Sequence, residues 1–258
     1  MKKLIIANWK MHYGPIKAGA WIRAFRRERL PKDLDVAVAV PFVSLAAARS
    51  SLGRATIPML GAQDVFWQPD GAYTGEVSTG MLQEFGVALC LVGHSERRIH
   101  VGETDEMAAQ KAAALQRAGM VPVMCVGETE AERRKKNTLK VIRAQAAAFL
   151  AAVKPDAAVR GGHAAMPVFA YEPVWAIGTG KHCPAQEAKV AHDAIRAAVS
   201  KAWGAKWADQ VRILYGGSVD AHDVGAYLTT TGIDGVLVGH ESLDPRSFGI
   251  LCRAALPA

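Results

Sequence analysis

The chain has 258 residues, of which 50% are hydrophobic and 21% are charged. A chain of this length and composition can bury a substantial core, which excludes an intrinsically disordered protein. The formal net charge of +7 is compatible with attraction of phosphorylated metabolites or nucleic acid. However, the arginine and lysine runs at 26–29 and 133–136 have no interleaved aromatic residues, and such runs are typical of solvated helix faces.

Eight short apolar runs recur along the chain and alternate with segments rich in alanine and charged residues. Runs that are apolar at nearly every position are typical of parallel strands buried on both faces. We predict strands at residues 4–9, 36–40, 58–62, 88–92, 121–126, 167–171, 211–215 and 235–238, with helices at 15–29, 105–118, 129–152, 184–203 and 220–229. Eight such units without a linker predict an α/β fold, a (β/α)8 TIM barrel that forms a single domain over residues 1–258.

The alternative architecture is an open, doubly wound sheet. That fold usually has a glycine-rich turn after its first strand, whereas the first strand here ends in Asn8, Trp9 and Lys10. In a barrel, the functional groups lie at the carboxyl ends of the strands. Polar residues at those positions are therefore the candidate site residues.

Four cysteines are spread along the chain as Cys90, Cys125, Cys183 and Cys252. Their spacing forms neither a C-x-x-C pair nor a metal-ligand pattern with histidine, which is typical of reduced thiols. The N-terminal apolar run is too short for a signal peptide, and no apolar stretch reaches the length of a membrane span. We therefore expect a cytoplasmic protein. Separately, we expect the stretch 160–163 to be a surface loop.

Amide, ammonium and imidazole groups follow the first and fourth predicted strands. Asn8 and Lys10 are two residues apart, so they are predicted to point the same way from an extended strand. His94 lies where the fourth strand gives way to a short helix, whose N-terminal N–H groups favour a neutral imidazole. Glu96 is placed to pair with Lys10. Taken alone, the Asn8 and Lys10 pair is more typical of surface residues and His94 of a structural histidine, so the prediction depends on their combination.

Glu172 ends the sixth apolar run and precedes a loop with the composition of a lid. A carboxylate covered by such a loop is a competent general base. Pro173 stiffens the start of the loop, while Ile177, Gly178 and Gly180 give a mobile tip with free backbone N–H groups. This composition favours a lid over an anion rather than an ordinary connecting loop.

Glycines also follow the seventh and eighth predicted strands, at 216–217 and at Gly239. Barrels of this kind commonly bind phosphate there through backbone N–H groups. Combined with a base, an electrophile, a cation and a lid, this cradle predicts proton abstraction beside a carbonyl of a phosphorylated substrate. The sequence shows neither a serine or cysteine nucleophile beside a base nor a metal-binding cluster.

The sequence resembles the triosephosphate isomerase family over almost its whole length. The resemblance rests on residues 8–11 (NWKM), 71–76 (GAYTGE), 92–98 (VGHSERR), 125–128 (CVGE), 172–181 (EPVWAIGTGK) and 215–218 (YGGS). It implies cofactor-free interconversion of dihydroxyacetone phosphate and D-glyceraldehyde 3-phosphate through an enediolate, a step of glycolysis and gluconeogenesis. The resemblance further implies a lid that closes over the substrate and a catalytic histidine that acts in its neutral form, both well-known features of this family.

The resemblance also implies a role for each site residue. Glu172 would shuttle the proton, and His94 and Lys10 would stabilise the enediolate, with Asn8 beside them and Glu96 orienting Lys10. The substrate phosphate would be bound by backbone N–H groups of Gly178, Ser218, Gly239 and His240. The lid and its latch would comprise Pro173, Val174, Trp175, Ile177 and Tyr215.

Members of this family are dimers, and their third loop matches residues 63–78 here. Thr74, at the tip of that loop, would reach toward the active site of a second subunit. Phe66, Trp67 and Tyr73 are apolar for an exposed loop, which independently indicates a homodimer interface. The alternative is that the loop folds back on its own domain.

Two segments depart from the family pattern. The family usually has GGAS after the eighth strand, where residues 239–242 read GHES, and small residues at the end of the lid, where residues 181–183 read KHC. His240 retains its N–H, but Glu241 adds negative charge near the expected phosphate. The altered loop leaves open an isomerase of a related tetrulose phosphate, and the +7 charge leaves open a basic nucleic-acid-binding barrel. The main interpretation includes neither a nucleic-acid nor a membrane partner.

Overall fold

The computed structural model describes residues 1–155 and 166–255, so the stretch 160–163 lies outside the described residues. Eight parallel strands pair in chain order, and β8 closes on β1. They are β1 (Lys3–Asn8), β2 (Leu34–Val40), β3 (Met59–Ala62), β4 (Leu89–Val92), β5 (Val121–Val126), β6 (Val168–Tyr171), β7 (Arg212–Tyr215) and β8 (Gly235–Val238). The closed sheet confirms the predicted (β/α)8 TIM barrel and contradicts the open-sheet alternative.

Helices surround this barrel and connect its strands. They are α1 (Pro15–Phe25), α2 (Leu45–Leu52), α3 (Thr79–Glu84), α4 (Ser95–Val101), α5 (Asp105–Arg117), α6 (Glu130–Arg134), α7 (Thr138–Ala152), α8 (Ala185–Trp203), α9 (Ala205–Ala208), α10 (Val224–Thr229) and α11 (Pro245–Ala254). In the part of the chain that the structure describes, none of these helices is both long and apolar enough to cross a bilayer.

The hydrophobic core has two layers because side chains alternate across each strand. On β1, Leu4 and Ile6 belong to a cluster inside the barrel, made almost wholly of strand residues. Ile5 and Ala7, on the opposite face, belong to the larger cluster between the barrel and its helices. Each fully buried leucine or isoleucine contributes roughly 1.5–3 kcal/mol of transfer free energy. This packing holds the carboxyl ends of the strands in a fixed ring.

Three predicted helices differ from the observed ones: the helix predicted at 15–29 ends at Phe25, and two others differ for local reasons. The segment 129–152 forms α6 and α7 rather than one helix, because Lys136 between them has a left-handed φ of 58°. That conformation cannot continue a right-handed helix. The segment 220–229 becomes helical only at Val224, because the Asp220 carboxylate accepts the backbone N–H groups of His222 and Asp223 and holds a turn before α10.

Candidate active site

A cavity of about 330 Å³ opens where the strands end, at the mouth of the barrel. It brings together residues that are far apart in sequence and that follow β1, β4, β6, β7 and β8. Its walls include the predicted site residues Asn8, Lys10, His94, Glu172, Ile177, Gly178, Ser218, Gly239 and His240. The groups expected to act on a substrate and those expected to hold its phosphate therefore face one cavity.

Glu172 lies directly after β6 and is 1% exposed. Its backbone N–H donates to the carbonyl of Val126 at 2.8 Å, which extends the pairing of β5 and β6 by one residue. One side-chain oxygen, Oε2, accepts the backbone N–H of Ser95 at 2.9 Å. The other, Oε1, lies 3.1 Å from His94 Nε2, but it accepts no hydrogen bond from the described residues. A buried carboxylate oxygen with a free lone pair is available to accept a proton.

His94 is the N-cap residue of α4, as expected of a histidine at this junction. Its Nδ1 accepts the backbone N–H of Glu96 at 3.2 Å. A ring nitrogen that accepts a hydrogen bond carries no proton, so the neutral ring carries its hydrogen on Nε2. Nε2 is the atom that faces Glu172 and the cavity. The imidazole is thus oriented to donate a hydrogen bond to a substrate oxygen.

Asn8 and Lys10 line the cavity together, but not because both lie on a strand. That part of the prediction is wrong: β1 ends at Asn8, and Lys10 has a left-handed φ of 52°. Asn8 Oδ1 accepts the Lys10 backbone N–H at 3.0 Å, which leaves Asn8 Nδ2 3.2 Å from His94 Nε2. Lys10 Nζ lies 2.5 Å from Glu96 Oε1, the partner expected for it. The Asn8 amide, the His94 imidazole and the Lys10 ammonium group therefore converge on the cavity.

Backbone close to the cavity is packed so tightly that glycine is required at position 127 and little room is left for a side chain at Gly216. A Cβ on Gly127 would lie 1.7 Å from the Glu172 carbonyl oxygen, and a Cβ on Gly216 would lie 3.0 Å from Glu172 Cγ. Gly178, in the lid, is exposed and has a φ of +68°. A short 3-10 turn that begins at His240 follows β8. These glycines let the backbone approach Glu172 and shape the end of the cavity next to Ser218.

The start of the lid is anchored outside the cavity. Trp175 Nε1 donates to Glu128 Oε1 at 2.9 Å, and the Tyr171 hydroxyl lies 3.2 Å from Glu128 Oε2. Glu128 is fully buried, and burial raises the pKa of its carboxyl group. The Arg133 guanidinium covers the Trp175 ring at 3.9 Å. The lid residues Pro173, Val174 and Trp175 are therefore positioned around Glu128 rather than along the cavity wall.

The end of the lid is anchored on α10 and on the turn before it. The Tyr227 hydroxyl donates to the carbonyl of Cys183 at 2.8 Å, and His182 Nδ1 lies 3.5 Å from Asp223 Oδ2. Tyr215, the expected latch, stacks on Tyr227 with ring centroids 4.1 Å apart. Its buried hydroxyl makes no hydrogen bond within the described ranges 1–155 and 166–255.

Sequence reasoning gave no role to several of these anchoring residues. Of these residues, only Glu128 lies in a segment that matches the family pattern, CVGE at 125–128.

The loop 63–78 carries the predicted interface residues: Tyr73 and Thr74 are exposed at its tip. The Phe66 ring packs at a tilt against the rings of Trp67 and Tyr73, with ring centroids 4.1 and 4.6 Å apart. A second cavity of about 240 Å³, which includes Asn8, His94 and Glu96 in its lining, opens beside the first.

A closed (β/α)8 barrel whose mouth carries a carboxylate, an imidazole and an ammonium group is the architecture of an isomerase that works by proton transfer. The chain belongs to the triosephosphate isomerase family, since the model of the family described as Triosephosphate isomerase matches residues 3–255. Three proteins named triosephosphate isomerase are similar to it over nearly their full lengths. The one from Symbiobacterium thermophilum is 40% identical over 99% of this chain and 97% of its own. Those from Thermus thermophilus and Paracidovorax citrulli are 42% and 45% identical, over 99% and 98% of this chain and 100% and 98% of their own.

Proposed function

We propose that the protein interconverts dihydroxyacetone phosphate and D-glyceraldehyde 3-phosphate, with Glu172 as the base and neutral His94 as the electrophile. The observation that carries this proposal is that Glu172 and His94, whose Oε1 and Nε2 atoms lie 3.1 Å apart, line the same cavity. A substrate bound in that cavity against both side chains would have a carbon-bound proton next to the carboxylate and a carbonyl oxygen next to the imidazole. Family membership supports the same reaction.

The reaction moves two protons and leaves the atoms of the substrate otherwise unchanged. Glu172 Oε1 removes a proton from C1 of dihydroxyacetone phosphate, and the electron pair of that bond forms the C1–C2 double bond of an enediolate. Negative charge develops on the C2 oxygen, where Nε2–H of His94 and the Lys10 ammonium stabilise it. The proton of the C1 hydroxyl then passes to the C2 oxygen through the imidazole. Glu172 returns its proton to C2, which yields the aldehyde.

Asn8 and Glu96 would support these groups without exchanging protons with the substrate. Asn8 Oδ1 holds the Lys10 backbone, and Glu96 Oε1 holds the Lys10 ammonium at 2.5 Å. Lys10 is therefore held both at its backbone N–H and at its ammonium group before the substrate binds. Preorganised charge of this kind lowers a barrier more effectively than charge that must reorient during the reaction.

The substrate phosphate would be held at the opposite end of the cavity, by N–H groups of Gly178, Ser218, Gly239 and His240. Pro173, Val174, Trp175 and Ile177 would carry the lid over it, and Tyr215 would latch the closed position. Closure excludes water, which strengthens the electrostatic interactions in the site. It would also retain the enediolate, which eliminates phosphate when it escapes. The exposed tip glycines and the anchored ends of the loop support a hinged lid.

A homodimer is the assembly that best suits the second cavity. Thr74 and Tyr73, on the exposed loop 63–78, would enter the corresponding cavity of another copy beside Asn8 and His94. Exposed apolar side chains support an interface on this side: Met11 is 97% exposed and Val43 is 70% exposed.

The four cysteines support a location in a reducing compartment, the cytoplasm. All of them are free and buried: Cys90, Cys125, Cys183 and Cys252.

The direct test is an isomerase assay with D-glyceraldehyde 3-phosphate, in which product formation is coupled to reduction of dihydroxyacetone phosphate. A four-carbon tetrulose phosphate serves as the matched comparison. We expect a kcat/KM at least tenfold higher with the three-carbon substrate, about 1.4 kcal/mol of discrimination. Absence of turnover with both substrates, or preference for the four-carbon one, would overturn the proposed function.

A further inference from the structure

The phosphate end of the cavity carries ionisable side chains in addition to the backbone donors. His182 reaches it from the end of the lid, Asp220 from the turn after β7, and His240 and Glu241 from the turn after β8. His182 and His240 lie in the two segments that depart from the family pattern. Neither imidazole has a part in the proton transfer proposed above, so their presence around the phosphate calls for a separate explanation.

Acidic groups outnumber basic ones around this cavity when the histidines are neutral. Glu172, Asp220 and Glu241 contribute three carboxylates to its lining, whereas Lys10 contributes one ammonium group. A dianionic phosphate ester is repelled by such an arrangement. Added positive charge at the phosphate end would therefore strengthen binding of a dianion.

His182 is placed to supply part of that charge. Its side chain is 54% exposed, and Nδ1 lies 3.5 Å from Asp223 Oδ2. Asp223 is itself fixed by backbone hydrogen bonds with Asp220, in the turn that follows the phosphate-binding residue Ser218. The charged groups around this imidazole are the carboxylates of Asp220 and Asp223 and the ammonium group of Lys181, next to it in the chain.

His240 approaches the same end of the cavity from β8. It is exposed and begins the 3-10 turn that follows Gly239. Lys10 runs beside Gly239, since a Cβ there would lie 3.3 Å from Lys10 Cε. The charged groups around His240 are the Glu241 carboxylate and the Lys10 ammonium group, which line the same cavity. An ordinary exposed imidazole changes charge between pH 8 and pH 6.

We propose that His182 and His240 set the affinity of the site for the phosphate group, each adding a positive charge on protonation that strengthens binding of a dianion. The inference rests on the proposed function only in taking this end of the cavity as the phosphate site. It predicts an enzyme whose affinity for anions rises as the pH falls through the neutral range.

Inorganic sulfate is the probe, because it remains a dianion from pH 8 to pH 6, whereas a phosphate ester titrates near pH 6. Binding is measured by calorimetry at pH 8, 7 and 6, with glycerol 3-phosphate as the competitor. We expect the sulfate Kd of the wild-type protein to fall about fivefold from pH 8 to pH 6, because a half-exposed charge pair contributes well under 1 kcal/mol and two act together.

The variants separate these imidazoles from general effects of pH. His182→Gln and His240→Gln keep a polar side chain that does not titrate, and each should remove about half of the change on the logarithmic scale. The sulfate Kd of the double variant should change by no more than about 1.5-fold between pH 8 and pH 6. His222→Gln is the matched control, because His222 is exposed in the same turn as Asp220 and Asp223 but is not part of the cavity wall. It should retain the wild-type response.

A wild-type Kd that is flat from pH 8 to pH 6 would overturn the inference. So would an undiminished pH response in the double variant, or sulfate that glycerol 3-phosphate does not displace. Calorimetry does not depend on turnover, so failure here is distinguishable from failure of the proposed function. A protein that binds sulfate in the expected way but does not isomerise D-glyceraldehyde 3-phosphate would support the anion site and refute the reaction.

Discussion

The carboxylate of Glu172 accepts a 2.9 Å hydrogen bond from the backbone N–H of Ser95. Ser95 is the first residue of α4 and directly follows His94, whose Nε2 lies 3.1 Å from the other carboxylate oxygen. The start of one helix therefore positions both Glu172, the proposed base, and His94, the proposed electrophile. The orphan N–H groups of a helix N-terminus suit both tasks, since one donates to the Glu172 carboxylate and another donates to Nδ1 of His94.

Glu172→Gln tests the base. The amide cannot take up a proton, while its size and burial match those of the original side chain, so we expect kcat to fall by about 10²- to 10⁴-fold with the melting temperature unchanged. Glu84→Gln, at an exposed position, is the control and should leave both quantities unaltered. Turnover of Glu172→Gln close to that of the wild type would exclude Glu172 as the base.

Gly127→Ala tests how strictly backbone packing positions the base. The added Cβ would lie 1.7 Å from the Glu172 carbonyl oxygen, and backbone atoms cannot move aside as a side-chain tip can. A displacement of about 1 Å at the base lowers turnover by about 10²-fold. Gly14→Ala is the matched control, because Gly14 has a φ of −71° and no atom of the described residues would lie within 4 Å of its added Cβ. Equal kcat values for the two variants would contradict the close packing.

Lys111→Met tests the buried ion cluster behind the loop 63–78. Lys111 is 2% exposed, and its Nζ lies 2.6 Å from Asp64 and 2.8 Å from Glu103. Its removal leaves two buried carboxylates without this cation, so we expect the free energy of unfolding to fall by about 3–5 kcal/mol. Lys189 pairs with Asp193 at 2.5 Å, but on the surface.

The control Lys189→Met should therefore change the free energy of unfolding by no more than about 0.5 kcal/mol, although its pair is the shorter one. Urea denaturation measures both variants. Losses of similar size at positions 111 and 189 would show that burial does not determine the contribution of these pairs.

His192 makes stability depend on pH. It is fully buried in α8, and burial lowers its pKa to about 3. An unfolded histidine titrates near 6.5, so the folded state binds fewer protons below that pH. The stabilising contribution of the neutral ring is complete above pH 6.5 and is lost as the pH falls toward 3. Between pH 6 and pH 4 the loss is about 1.4 kcal/mol per pH unit.

His192→Asn keeps an N–H donor for the carbonyl of Gly232, which the His192 ring contacts at 3.2 Å, but does not titrate. We expect its free energy of unfolding to fall less steeply than that of the wild type between pH 6 and pH 4. The difference in slope should be about 1.4 kcal/mol per pH unit. His222→Asn, at an exposed position, should follow the wild type. Parallel curves for wild type and His192→Asn would show that His192 does not remain neutral in the folded protein.

Much of the architecture was predictable because hydrophobic periodicity reports burial directly. The eight apolar runs correspond to the eight strands, and the polar residues at their ends, such as His94 and Glu172, meet at one cavity because parallel strands end on one side of a barrel. The split of the segment 129–152 was not predictable, since lysine rarely adopts the left-handed conformation that Lys136 has.

Contacts between distant segments were also beyond the sequence pattern. Nothing in the local sequence of Gly127 shows that Glu172 approaches it from the neighbouring strand. Lys111 lies in a helix of ordinary amphipathic composition, and its burial depends on carboxylates 47 and 8 residues away. Such features depend on the register of strand pairing and on helix packing, which a single sequence does not specify.

The most direct test of the central claim is isomerisation of D-glyceraldehyde 3-phosphate in D2O, followed by proton NMR of the product. A proton held by the Glu172 carboxylate can exchange with solvent before it returns to carbon. We therefore expect dihydroxyacetone phosphate with deuterium at C1 in a measurable fraction of the molecules, and loss of this labelled product in Glu172→Gln. Complete turnover without any deuterium at carbon, or undiminished labelling in Glu172→Gln, would contradict proton transfer by this residue.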